Sequence, residues 1–111
     1  MSVQASVIVP TYRGAGRIAA CLGALAAQRT ARAYEVIVVD DGSPDDTAAV
    51  VARCPGVRYF RQDNAGPGAA RNLGVREARG EFVLFTDDDC VPAPDWLERM
   101  LEPFDDPALV A

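Results

Sequence analysis

YEVIVVDDGSPDDTAAVVARC, Tyr34 to Cys54, is the stretch that decides the fold. Val36 to Val39 are apolar without a break, as in a strand buried on both faces; a strand with one wet face would alternate. The run ends on Asp40 and Asp41, and Gly42 permits a tight turn. Ser43 then stands at a cap position, with Pro44 at the first helical position of SPDDTAAVVARC. Buried strand, turn and helix in that order make one unit of a parallel sheet covered by helices.

The same two periods alternate on either side. ASVIVP (Ala5–Pro10) is another buried strand, and Ile18, Cys21, Leu22 and Leu25 are spaced for an amphipathic helix over Arg17–Gln28. Beyond Cys54, VRYFRQ (Val57–Gln62) alternates as a strand, and GPGAARNLGVREA starts a helix after glycines. EFVLFT (Glu81–Thr86) is a fourth strand. In PDWLERMLEPF, the positions Trp96, Leu97, Met100, Leu101 and Phe104 are spaced to face a core. ALVA at the end reads as the opening of a fifth strand. The order βαβαβαβα predicts an α/β fold: a Rossmann-like, three-layer α/β/α arrangement on a mostly parallel sheet, with residues 1–111 as one domain. A chain that stops as a strand begins is expected to be part of a larger fold. It is also expected to self-associate through an exposed sheet edge or apolar face.

Composition narrows the function. A net charge of −5 argues against nucleic acid, whose phosphates want a basic face. No apolar run approaches the roughly 20 residues of a membrane span, and MSVQASVIVP has no basic leader region, so a cytoplasmic chain is expected. With three scattered cysteines (Cys21, Cys54, Cys90) and no histidine, a disulfide framework and a structural zinc site are both disfavoured. Any metal must be held by oxygen, which favours Mg²⁺ or Mn²⁺. All 11 basic residues are arginine. The absence of lysine removes the P-loop and disfavours a phospho-acceptor receiver domain.

In such folds ligands bind beyond the carboxyl ends of the strands, and the unusual residues fall there. Asp87, Asp88 and Asp89 follow the fourth strand with no basic neighbour in sequence. If the chain stays extended, Asp87 and Asp89 point one way and Asp88 the other. Two converging carboxylates suit a divalent ion or a ligand hydroxyl; a solvated acidic turn is the plain alternative. At the end of the second strand Asp40, and less firmly Asp41, suits a ribose hydroxyl or a base N–H, while Asp45 and Asp46 suit a helix N-terminus. The Gly66–Pro67 loop opens a helix whose first turns bring Arg71 within reach of an anion. Gly14–Ala19 matches G-x-G-x-x-A, a rival dinucleotide fingerprint, but Pro10 to Arg13 separate strand from glycine and misplace its tight turn.

Taken together, SVIVPTYRG, LAAQ, EVIVVDDGSPDDT, NAGPGAARNLGVREARGEF and FTDDDCVPAPDWLE resemble the N-terminal half of family 2 glycosyltransferases with the GT-A fold. The resemblance covers essentially the whole chain. It implies that Pro10, Thr11, Tyr12, Asp40, Gly66, Arg71, Asp87 and Asp88 meet the nucleotide of a nucleoside diphosphate sugar, UDP being the expected carrier. Tyr12 would lie against the base, Asp40 read it, and Asp87 approach the ribose. Asp89 would hold Mn²⁺ or Mg²⁺. Arg13 replaces the asparagine usual after the aromatic, and Cys90 replaces a common aspartate. Inverting sugar transfer to an acceptor hydroxyl is implied, with the general base and the acceptor site outside this chain. Asp95, Asp105 and Asp106 are base candidates by residue type alone. The alternatives are a non-catalytic nucleotide-binding or self-associating module, and an NAD-type domain.

Overall fold

A computed structural model describes residues 2–106. Four parallel strands alternate with helices: β1 (Ala5–Thr11), α1 (Ile18–Ala26), β2 (Tyr34–Asp40), α2 (Thr47–Ala52), β3 (Val57–Arg61), α3 (Pro67–Glu77), β4 (Phe82–Phe85) and α4 (Trp96–Leu101), with a 3₁₀ turn at Glu102–Asp105. The sheet order is β3-β2-β1-β4, all pairs parallel. β1 sits inside, with Ala5 opposite both Tyr34 and Phe82.

Alternation along β1 and β2 divides the core between two faces, as the apolar runs require. Val7, Val9, Val36 and Val38 pack with Ile18, Cys21, Leu22 and Leu25 of α1, Val51 of α2, and Leu97 and Leu101 of α4. Ile8, Ile37 and Val39 face the other way, against Ala70 and Leu73 of α3. The three-layer α/β/α arrangement is therefore present. Each fully buried aliphatic side chain contributes on the order of 1.5–3 kcal/mol. α3 approaches so closely that a Cβ on Gly74 would come 2.5 Å from Ile8 Cγ2.

Some local expectations change. α2 begins at Thr47, because the Ser43 hydroxyl accepts the Arg13 N–H and caps nothing. Met100 and Phe104 are exposed: α4 buries Leu97 and Leu101 and leaves Met100 on its outer side, and the turn after Leu101 sets Phe104 against Phe82, ring centroids 5.2 Å apart. The fifth strand expected at ALVA lies outside the described residues.

Candidate functional site

The carboxyl ends of β1, β2 and β4 and the start of α3 enclose a cleft of about 560 Å³. Pro10, Thr11, Tyr12 and Arg17 line one side, Asp41, Pro67, Ala70 and Arg71 another, and Asp87, Asp88 and Asp89 the third. Most of the residues expected at the site thus meet in one place.

Tyr12 leaves β1 half-exposed, with the Arg13 guanidinium 5.5 Å from its ring centroid. Arg13 has φ 55, a left-handed conformation that asparagine tolerates better than arginine. That gives a physical reason for an asparagine at this position.

The two acids at the end of β2, both expected to meet the ligand and Asp40 the more firmly, take different places. Asp40 is fully buried: Oδ1 accepts the Ser43 N–H at 2.8 Å and Oδ2 accepts the Tyr59 hydroxyl at 2.5 Å. Its carboxylate is spent on holding β3 and the β2–α2 turn, and it does not line the cleft. Asp41 does. Its carboxylate accepts Gln62 Nε2 at 2.8 Å, the Ala65 N–H at 2.7 Å and the Gly66 N–H at 3.0 Å. Burial alone would push the Asp41 carboxyl up; these three donors outweigh it and hold it below its ordinary value. Gly66, expected to meet the ligand, has φ 97 and gives its amide to Asp41 instead, so Pro67 and Arg71 carry the α3 side of the cleft.

The three consecutive aspartates divide into Asp87 and Asp89 on one side and Asp88 on the other, but Asp88, expected to meet the nucleotide, has both carboxylate oxygens engaged by Thr11 and Arg17. The chain does not stay extended: the Cys90 N–H closes a turn onto the Asp87 carbonyl at 3.1 Å. Asp88 turns inward, mostly buried, and accepts Thr11 Oγ1 at 2.6 Å and Arg17 Nε at 2.8 Å. Asp88 therefore has a cationic partner, from 71 residues away in sequence. Asp87 and Asp89 are exposed, and among the described residues neither is in a salt bridge. One ligand atom each from Asp87, Asp89 and Cys90 lies within 4.8 Å of the others. Two exposed carboxylates lining the cleft, in no salt bridge among the described residues, have the hard oxygen chemistry that suits a divalent ion. The Cys90 thiol is a further donor beside them. Cys21 is buried behind the turn, its thiol pushed up to about 11 by burial first and then by Cys90 and the neighbouring aspartates.

Within G-x-G-x-x-A, a Cβ on Gly14 would run into Thr11 Oγ1 and Asp88 Oδ2, so this glycine serves the packing of the cleft wall, while Gly16 stands in open space. Asp95 pairs with Arg99 and Asp105 with Arg32, and neither these two nor Asp106 lines the cleft.

The sequence profile described as Glycosyl transferase family 2 matches residues 6–111. The chain belongs to this family. Among curated glycosyltransferases it is 40% identical to glycosyltransferase AglE of Haloferax volcanii over 101 residues, 85% of this chain and 33% of that one. The family 2 domain superposes on the mannosyltransferase PcManGT of Pyrobaculum calidifontis, solved with GDP-Man and Mn²⁺. The TM-score is 0.88 at 33% identity, over 96% of this chain and 34% of that one. For S. aureus TarS 1–349 in complex with UDP-GlcNAc the TM-score is 0.85 at 36% identity, over 93% and 31%. The chain spans about a third or less of the length of the curated relatives it matches. Among the described residues no helix is long and apolar enough to cross a membrane.

Proposed function

We propose that this family 2 glycosyltransferase domain is the donor-binding part of the enzyme, taking a nucleoside diphosphate sugar, UDP-sugar first, together with Mn²⁺ or Mg²⁺. The observation that carries the reading is the cleft itself. An exposed aromatic stands on one wall, and two carboxylates in no salt bridge stand on another. Tyr12 offers a flat face to the base, and Asp41, rather than Asp40, is the acid of this pair that lines the cleft. Asp87 serves the ribose and Asp89, beside it, the cation. Arg71 on α3 supplies charge to a phosphate. A divalent ion at Asp89 would offset the charge that develops on a leaving diphosphate. This chain's own contribution is to bind and orient the donor, so that the sugar carbon is presented to an acceptor.

The sugar is transferred with inversion to an acceptor hydroxyl, activated by a base from outside residues 1–111. A cytoplasmic site of action belongs to the same reading and is supported by three free cysteines. So does self-association along β4, which among the described residues is an edge strand and exposes Phe85. A competition series tests the ligand class. UDP is expected to bind more tightly than GDP, and NAD not at all. Tight binding of NAD without metal would reverse the assignment. In the longer protein, a product of retained anomeric configuration would sink the inverting step.

A further inference from the structure

We infer that Arg17 is a positioning residue for both ends of the cleft, one guanidinium holding the wall that carries Tyr12 and the turn that carries Asp87 and Asp89. The inference rests on the donor-site reading above. Arg17 Nε meets Asp88 Oδ1 at 2.8 Å, one terminal nitrogen donates to the Arg13 carbonyl at 3.1 Å, and the other to the Tyr12 carbonyl at 2.9 Å. Thr11 Oγ1 occupies the second Asp88 oxygen at 2.6 Å. The packing admits nothing further: a Cβ on Gly14 would lie 2.2 Å from Thr11 Oγ1 and 2.8 Å from Asp88 Oδ2.

An exposed salt bridge usually contributes little. This one differs in two respects. Its acceptor is buried, and the same fork is bound to two loop carbonyls. Asp88 is also an inner residue of the turn closed by Cys90 N–H on Asp87. Anchoring it inward leaves Asp87 and Asp89 facing out together. A lysine carries its three donors on a single nitrogen and cannot span the three separate acceptors that this planar fork reaches from three nitrogens.

The test uses two probes that carry no phosphate: uridine without metal, followed by NMR titration, and Mn²⁺ without nucleotide, followed by EPR of the free ion. The wild type is expected to bind both. Arg17→Gln is expected to weaken each by at least about fivefold, the loss of one to two hydrogen bonds of a charged group. Tyr12→Ala should weaken uridine alone, and Asp89→Asn Mn²⁺ alone. Arg17→Lys keeps the ion pair but not the fork, so it should hold Mn²⁺ affinity within about twofold and still lose uridine. Melting curves fix a temperature at which every variant is folded; if Arg17→Gln is not, the split seen with Arg17→Lys decides. The inference fails if Arg17→Gln leaves either probe unchanged. It fails equally if the loss appears only with UDP, which would make Arg17 a direct phosphate ligand. A wild type that binds neither probe overturns the donor-site reading itself, and this inference with it.

Discussion

The carboxylate of Asp41 accepts the backbone N–H of Gly66 at 3.0 Å, so an acid at the end of β2 fixes the start of α3. Asp41→Asn should destabilise the fold by about 1–3 kcal/mol, because the amide group must turn an N–H toward a donor it cannot satisfy. The sign with pH follows from the depressed carboxyl. Its stabilisation is fully present above the ordinary value of 3.8 and is lost as pH falls through the lower folded value. The gap in melting temperature between wild type and Asp41→Asn should therefore close on acidification below about pH 4. A gap that stays constant into strong acid would remove Asp41 from this role.

The three neighbouring aspartates should behave unlike one another in the absence of ligand. Asp88→Asn removes the buried partner of Arg17 and should cost about 1–2 kcal/mol in urea unfolding. Asp87→Asn and Asp89→Asn touch exposed groups in no salt bridge and should stay within about 0.5 kcal/mol of wild type, or gain from reduced repulsion. Equal effects at the three positions would contradict the division of the turn.

How far the sequence carries is clear at these same residues. The strands and helices were legible because buried β1 and β2 and amphipathic α1 have distinct periods. The choice between Asp40 and Asp41 was not, since β2 is covered on both faces and its apolar run gives no phase at its end. The deciding contact comes from Tyr59 on β3. The partner of Asp88 was missed because Arg17 is remote in the chain, and only the fold brings β4 beside β1. Ser43 looked like a cap because its hydroxyl had no other visible use. Its true donor is the Arg13 amide in another loop.

Two glycines should respond oppositely to alanine. Gly74 on α3 has no room beside Ile8, so Gly74→Ala should lower stability by about 1–3 kcal/mol through overpacking. Gly23, exposed inside α1 with nothing within 4 Å, should gain about 0.5–1 kcal/mol as alanine. Thermal melts of the two variants check both signs; a tolerated Gly74→Ala would mean that α3 is not seated on β1 as described.

Arg13 at φ 55 carries a local cost that asparagine reduces. Arg13→Asn should raise stability by up to about 1 kcal/mol while removing the cation over Tyr12. An Arg13→Asn variant less stable than wild type would show that the contact with Tyr12 outweighs the backbone strain.

The central claim is that Asp87 and Asp89 form the cation end of a nucleotide site whose other wall is Tyr12. Calorimetric titration of UDP into the protein, with Mn²⁺ and then with EDTA, tests it most directly. The account predicts binding at least about tenfold tighter with Mn²⁺, the equivalent of about 1.4 kcal/mol, and loss of that difference in Asp89→Asn. Equal affinity with and without the ion, or an Asp89→Asn protein that keeps the full metal dependence, would contradict it.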